Sequence, residues 1–200
     1  MEEKQPLLVH KISKIISDFF NPLVSLFIFF IYMSVREYSL KDSILYFAPL
    51  FLIIIAPVVI WLVWNVKTGR YTNMDVSDRV QRKTLYIFIA ACVIVYLIFS
   101  YFRNGSIDLV MLFILILIFT MQISNFFIKS SMHTAFNVFV AALFFTLNWK
   151  AGLIWLGIAA LVGITRIILK RHTVKEVFMG AGIAFLVSFI YLYCNIQFQH

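Results

Sequence analysis

Residues 163–182 read GITRIILKRHTVKEVFMGAG and join the end of one long apolar run to the start of the last one. The stretch contains Arg166, then His172 six positions later, and then Glu176 four positions after that. An arginine at a helix end, an imidazole just beyond it and a carboxylate one turn later can hold a phosphate group or attack it. The same residues are also typical of a solvated loop, so the choice depends on what other segments bring to this side of the membrane.

The composition places the chain in a lipid bilayer. Hydrophobic residues make up 62% of the 200 residues and charged residues only 13%, against roughly 25% charged residues in soluble domains. Several apolar runs approach the roughly 20 residues that cross a bilayer as a helix. The sequence therefore predicts an all-α fold, a polytopic transmembrane helical bundle with six to seven crossings, and it excludes a soluble domain.

The net charge, the cysteines and the histidines indicate which classes of partner, metal and cofactor to expect. The net charge of +8 is not carried by a soluble basic domain, so positive loops and anionic lipids explain it better than nucleic acid. Cys92 and Cys194 lie singly in apolar runs, which predicts buried thiols. His133 and His172 have no histidine partner four positions away and carboxylates are few, so we expect no metal and no cofactor. The N-terminus lacks the pattern of a cleavable signal peptide.

Polar segments divide the chain into an amphipathic interfacial segment, residues 1–17, and one transmembrane domain, residues 18–200, with a catalytic core at about 67–195. Pro49 and Pro57 predict a bend in the second crossing, and glycines in the last two predict close helix approach. The predicted crossings are about 19–34, 44–66, 84–101, 109–128, 133–147, 153–169 and 175–194, with a tight turn at 148–152.

Two helix starts are also predicted from capping residues. Ser17-Asp18 is suited to cap the first crossing. Asp75 or Ser77 is suited to cap a short helix in the polar segment 67–83, on which two arginines three positions apart share one face.

Counting crossings shows which polar segments meet. Two crossings separate the N-terminus from residues 67–83, two more lead to residues 129–133, and two more lead to residues 170–175. All these segments therefore share one membrane face. Together they supply the side chains that phosphoryl transfer uses, namely cations for the phosphate oxygens, a nucleophile, and a general acid. The candidates are Arg79, Arg82, Ser131, His133, Arg166, His172 and Glu176.

Each candidate also has an ordinary structural interpretation. Arginines at helix ends often place their charge at the interface or set the topology. Ser131 is suited to cap a helix, and His133 to be a satisfied polar residue among helices. His172 can be a loop histidine, and Glu176 an acid that favours a helix N-terminus.

The joint pattern resembles the type 2 phosphatidic acid phosphatase superfamily, which includes membrane lipid phosphate phosphatases and vanadium haloperoxidases. Its third motif reads S-R-x-x-x-x-x-H-x-x-x-D, and Thr165-Arg166, His172 and Glu176 keep that spacing, with Gly180 as in the usual continuation. Threonine replaces the serine, and glutamate the aspartate.

The other two motifs are matched less fully. The second, P-S-G-H, is matched at Ser131 and His133, whereas Ser130 and Met132 replace proline and glycine. The first, K-x-x-x-x-x-x-R-P, is matched only by Arg82: its lysine position is Asp75, and Lys83 replaces its proline. Arg79 is the residue suited to supply the missing cation.

The resemblance implies a role for each residue. His172 would be the nucleophile, Glu176 its orienting acid, and His133 the general acid and later the base for water. Arg82, Arg166 and Ser131 would bind the phosphate, with Arg79 as a substitute cation. The departures leave open a slow enzyme, an altered substrate or a pseudoenzyme.

The leading hypothesis is a metal-independent lipid phosphatase that acts on phosphatidic acid, phosphatidylglycerophosphate, a prenyl diphosphate or a sphingolipid phosphate. One alternative is a lipid phosphotransferase on the same fold. Another is a non-catalytic lipid-binding or transport protein. The expected partners are the lipid phosphate and the bilayer, and the oligomeric state is left open.

The distribution of charge bears on the orientation. Of the 17 Lys and Arg residues, 13 lie on the face with the candidate site, and setting aside Arg79, Arg82 and Arg166 leaves ten against four on the other face. The positive-inside rule therefore predicts a cytoplasmic site, whereas relatives commonly place this site on the outer face. We expect a bacterial or archaeal cell membrane.

Overall fold

The computed structural model describes residues 7–76 and 78–198, and over these residues it is all-helical with no strand. A π-helical segment, Phe51–Ile55, separates α3 from α4. The α-helices are α1 (Leu7–Phe19), α2 (Pro22–Glu37), α3 (Leu40–Leu50), α4 (Ala56–Lys67), α5 (Arg79–Asn104), α6 (Leu109–Phe127), α7 (Met132–Leu147), α8 (Trp149–Ile168) and α9 (Val174–Phe198).

These helices confirm the polytopic transmembrane bundle. In the part of the chain that the structure describes, five helical stretches are long and apolar enough to cross a membrane, and a sixth counts if α1 and α2, bent by 56°, form one span. Helix α7 is apolar but has 16 residues, about 24 Å at 1.5 Å per residue.

Helix ends differ from the predicted ones at three places. Ser17 lies inside α1, and Asn21 caps α2 by accepting hydrogen bonds from the N–H groups of Leu23 and Val24. Asp78 caps α5, so the cap is not Asp75, and Arg79 begins a long span rather than a short helix. Ser77 lies outside the described residues, as does the start of the predicted N-terminal segment, residues 1–6.

The third difference is at the predicted turn 148–152. Asn148 ends α7 and caps α8 at the same time, since its side chain accepts from the N–H groups of Lys150 and Ala151. One residue therefore makes the whole connection, and α8 begins at Trp149.

The chain forms two compact units. The first unit comprises residues 7–29 and Ile128–Phe198, and the second comprises Phe30–Phe127. Helix α7 is the core of the first unit: every residue from Thr134 to Phe144 is buried. Rings of Phe29 and Trp155 pack on Phe144, with centroid distances of 5.2 and 4.8 Å. A short helix, buried from Thr134 to Phe144, is thus the scaffold on which α8 and α9 pack.

Close helix contact in the first unit depends on two glycines. A Cβ added at Gly163 would lie 3.0 Å from Val177 Cγ1, and one added at Gly180 would lie 2.6 Å from the backbone oxygen of Ser131. Gly157 and Gly182, which carried the same prediction, have nothing within 4 Å of that position. The predicted close approach therefore holds at Gly163 and Gly180 and is wrong at the other two.

The second unit is held by polar contacts at one end of α5. Asp108 caps α6 by accepting from the N–H of Met111, and its other oxygen accepts from the hydroxyls of Tyr46 and Tyr96 at 2.9 and 3.3 Å. Burial and the charge of Asp108 raise the pKa of Tyr38, which stacks on Tyr46. This carboxylate therefore links α3, α5 and α6.

The second crossing changes its helical winding near the two prolines. Pro49 lies inside α3 and Pro57 in the first turn of α4, and the π-helical segment lies between them. Proline lacks an N–H and its ring crowds the preceding turn, so the wider turn before Pro57 relieves both constraints there. The predicted bend stays a prediction.

Candidate functional site

The start of α9 pairs His172 with Glu176. The imidazole is buried, with a side chain 1% exposed, and its Nδ1 lies 3.0 Å from Glu176 Oε2. The same carboxylate oxygen accepts from the N–H of Thr173 at 3.0 Å, while the Thr173 hydroxyl accepts from the N–H of Glu176. This is a capping box. Glu176 therefore helps to cap α9 and also contacts the imidazole. The structural interpretation is confirmed, and the role as orienting acid stays a prediction.

The loop between α8 and α9 brings Arg166 back to His172. The N–H groups of Arg171 and His172 both donate to the carbonyl of Arg166, at 3.0 and 3.2 Å. Lys170 lies between them with a φ of +52°, a left-handed conformation that lets the chain reverse at once. The residues between Arg166 and His172 therefore form one turn that is closed by backbone hydrogen bonds.

Arg166 is 2% exposed and contacts a residue that sequence reasoning did not select. Its Nη1 donates a hydrogen bond of 3.0 Å to the hydroxyl of Ser17, which is fully buried on α1. A partner 149 positions away carries no local signal, because serine is common at helix surfaces and caps.

Ser131 joins the start of α7 to the start of α9. Its side chain accepts from the N–H and the hydroxyl of Thr134, which confirms the predicted capping role. Its own N–H donates to the carbonyl of Glu176 at 3.0 Å, and Gly180 packs against its backbone. The 129–133 and 170–175 loops therefore lie at the same end of the first unit, as predicted.

His133 lies in the first turn of α7 and is half-buried. Its carbonyl accepts from Nδ2 of Asn137, a fully buried residue that also donates to the carbonyl of Phe20. The Asn137 Oδ1 accepts from the Ser25 hydroxyl and the Trp155 indole N–H. Sequence reasoning missed this residue, although a lone amide in an apolar run, one turn after a candidate histidine, was an available signal.

Arg79 and Arg82 belong to the second unit. Arg79 is exposed, its Nε donates to the carbonyl of Asn125, and the Asn125 amide donates back to the Arg79 carbonyl at 3.2 Å. Arg82 is 3% exposed, and its Nε donates to the carbonyl of Val76 at 3.4 Å. Their approach to the two histidines stays a prediction.

Among the described residues, His, Cys, Asp and Glu side chains form no group of three that could hold a metal ion. Metal independence stays a prediction.

The comparisons with known proteins agree with the motif resemblance. Residues 124–199 match a family model described as the PAP2 superfamily. No curated protein and no solved structure matches the chain. The match covers Ser131, His133, Arg166, His172 and Glu176, and it confirms the resemblance to the type 2 phosphatidic acid phosphatase superfamily over this part of the chain. With the apolar helices it supports a phosphatase-type function in an integral membrane protein.

Proposed function

We propose, on the premise that residues 124–199 carry the PAP2 superfamily pattern, that this protein hydrolyses the phosphate ester of a membrane lipid through a phosphohistidine intermediate. The observation that carries the proposal is the buried pair of His172 Nδ1 and Glu176 Oε2 at 3.0 Å. A carboxylate on one ring nitrogen fixes the tautomer and directs the other nitrogen, Nε2, to react.

In the proposed reaction, Nε2 of His172 attacks phosphorus and the bond from phosphorus to the lipid oxygen breaks. The proton on Nδ1 remains on His172 and is hydrogen-bonded to the Glu176 carboxylate. That carboxylate stabilises the positively charged imidazole. His133 gives a proton to the departing lipid alkoxide, then takes one from water. That water attacks the phosphohistidine and releases inorganic phosphate, which restores both histidines.

The cations and hydroxyls bind the phosphate in this scheme. Arg166 is proposed to offer N–H groups to the oxygens, and Arg82, with Arg79 as a substitute cation, is proposed to add charge. Ser131, at the start of α7, is proposed to complete the set.

Helix length favours a lipid over a soluble ester. Because α7 spans about 24 Å and the hydrocarbon core about 30 Å, a site at its first turn lies near headgroup depth. A lipid phosphate lies there while its chains stay among the helices. Candidate substrates are phosphatidic acid, phosphatidylglycerophosphate, prenyl diphosphates and sphingolipid phosphates.

The proposal is tested by phosphate release from purified protein in detergent with EDTA present. The His172→Ala variant should release no phosphate, and the parent, stopped with alkali after brief reaction with radiolabelled lipid phosphate, should hold an acid-labile label. His10→Ala is the matched control, because His10 is an exposed histidine on α1. Equal rates of phosphate release for His172→Ala and the parent would disprove the assignment of His172 as the nucleophile. Phosphoryl transfer to an added alcohol without phosphate release would favour the transferase alternative.

We further propose that the site faces the cytoplasm, on the charge distribution of the loops. Single cysteines at the exposed Met74 and Gly105, at opposite ends of α5, report this after Cys92 and Cys194 are replaced by serine. An impermeant maleimide on intact cells should label position 105 and not position 74. The reverse pattern would place the site outside.

A further inference from the structure

Helix α1 turns its polar side toward the protein. Its buried residues are Ser13 and Ser17, one turn apart and 4% and 0% exposed, whereas Leu8, Ile15 and Phe19 are 68%, 64% and 55% exposed. The outward apolar residues of a membrane protein's helix meet lipid, and its polar residues turn inward to find partners. The two serines therefore mark the side of α1 that has a specific contact to make.

That contact is with the arginine of the third motif. The hydroxyl of Ser17 accepts a hydrogen bond from Arg166 Nη1 at 3.0 Å, and both residues are almost fully buried. In such surroundings a hydrogen bond to a charged group is stronger than one between neutral groups. An arginine has many rotamers, and a bond at one end of its guanidinium selects among them.

The chemical type of the partner matters as much as its position. A carboxylate next to Arg166 would neutralise it and compete with phosphate for its N–H groups. A hydroxyl accepts one of those hydrogens and brings no negative charge. Ser17 can therefore orient the guanidinium without neutralising it.

We propose that Ser17 is a positioning residue for phosphate binding, and that α1 is consequently part of the site although it lies outside the segment that matches the family model. This inference rests on the proposed function only in taking Arg166 as a phosphate ligand. It assigns to α1 a role in binding, beyond contact with the membrane surface.

The test measures binding of inorganic phosphate to the purified full chain, together with KM, kcat and thermal stability in detergent. Ser17→Ala should weaken phosphate binding and raise KM about tenfold, as for loss of a hydrogen bond to a charged group, with kcat changed less. Ser17→Thr keeps the hydroxyl and should bind phosphate like the parent. Ser13→Ala, on the same buried side one turn earlier, is the matched control and should also bind like the parent.

Ser17→Asp tests the premise that Arg166 is a phosphate ligand, whereas Ser17→Ala and Ser17→Thr test the positioning role. An aspartate accepts the hydrogen bond more strongly than serine, so the contact and the thermal stability should be preserved. The proposal predicts a larger loss of phosphate binding than for Ser17→Ala, because the carboxylate accepts the guanidinium N–H groups that phosphate would otherwise accept.

The outcomes distinguish the two proposals. A parent that binds phosphate, with Ser17→Ala and Ser17→Asp binding equally well, overturns the role of Ser17 and leaves the proposed function intact. A parent that binds phosphate but hydrolyses no lipid ester counts against the proposed function, while the variants still decide the role of Ser17. A parent that neither binds phosphate nor hydrolyses a lipid ester overturns both.

Discussion

The backbone N–H of Ser131 donates a hydrogen bond of 3.0 Å to the backbone carbonyl of Glu176. Two loops 45 positions apart therefore begin their helices side by side, α7 from one and α9 from the other. Because the bond joins main-chain atoms, it holds the positions of both helix starts and depends only indirectly on the side chains that they present.

The close approach behind this bond makes a clear prediction for Gly180. In Gly180→Ala the new Cβ would lie 2.6 Å from the Ser131 oxygen, and backbone atoms cannot rotate away. We expect destabilisation of about 1–3 kcal/mol and loss of activity, since the start of α7 must shift. Thermal unfolding in detergent and phosphate release measure the two effects.

Gly182→Ala is the control for that prediction. It lies two positions later in the same helix with nothing within 4 Å, so alanine should be neutral or stabilise by up to about 1 kcal/mol. Equal stability of the two variants would contradict the importance of this contact.

The double role of Glu176 can be separated by two substitutions. Glu176→Gln keeps an oxygen for the Thr173 N–H but removes the charge from His172. We expect stability to change by less than about 1 kcal/mol while kcat falls at least about a hundredfold, because the tautomer and the positive imidazole lose their support.

Thr173→Ala should show the opposite pattern. It removes the hydroxyl that accepts from the Glu176 N–H, at a cost of about 1 kcal/mol, and leaves the carboxylate beside the imidazole. Activity below the unfolding temperature should stay within about threefold of the parent. A Glu176→Gln variant that hydrolyses lipid phosphate as fast as the parent would show that Glu176 is a helix cap and no more.

Asn137 should be among the most sensitive positions in the first unit. Asn137→Leu keeps the approximate volume but leaves the carbonyls of Phe20 and His133 and the Trp155 N–H without this partner. Each buried polar group left unsatisfied costs about 1–3 kcal/mol, so we expect severe destabilisation or failure to accumulate. Ser25→Ala, which removes one of the four bonds, should cost about 1 kcal/mol. Similar unfolding temperatures for the two variants would contradict this account.

The two arginines of the second unit should differ in their effect on catalysis. Arg82 is buried and is the residue predicted to match the arginine of the first motif, whereas Arg79 is exposed and donates from its Nε to the carbonyl of Asn125. We expect Arg82→Gln to lower kcat/KM about a hundredfold and Arg79→Gln about tenfold, in line with charged hydrogen bonds of unequal strength.

Lysine replacements serve as controls, because they keep the charge and lose the planar fork. Partial recovery in Arg79→Lys would support a simple cation in place of the missing motif lysine. An Arg79→Gln variant with the kcat/KM of the parent would show that Arg79 does not fill that place.

The sequence predicted the spans well, and the spacing of the third-motif residues has a local structural basis, because both depend on local patterns. Apolar runs of about 20 residues define α5, α6, α8 and α9, and the spacing of Arg166, His172 and Glu176 follows from one turn and one helical repeat. Capping was harder to predict, because several suitable residues lie close together. Asp78 took the place expected for Asp75, and Asn21 the place expected for Ser17-Asp18.

Contacts between distant segments had no local signal. Serine at position 17 reads as an ordinary cap, and only the packing of α1 shows that its hydroxyl meets Arg166. In the same way, the amide of Asn137 reads as an isolated polar residue until the ends of α1 and α2 and the face of α8 supply its partners. Whether a predicted charge joins the site, as for Arg79 and Arg82, likewise depends on tertiary arrangement rather than on spacing.

The hydrogen bonds of Asn137 and Arg166 have a practical consequence for anyone who shortens this protein. The region that matches the family model starts at residue 124 and contains His133 and His172. Its central helix, α7, is nevertheless hydrogen-bonded through Asn137 to the Phe20 carbonyl and the Ser25 hydroxyl. Its buried Arg166 is hydrogen-bonded to the Ser17 hydroxyl. A fragment cut to residues 124–199 would keep the second and third motifs and lose the groups that satisfy their buried polar atoms. A fragment meant to fold by itself therefore needs at least residues 17–25 in addition to the region that matches the family model.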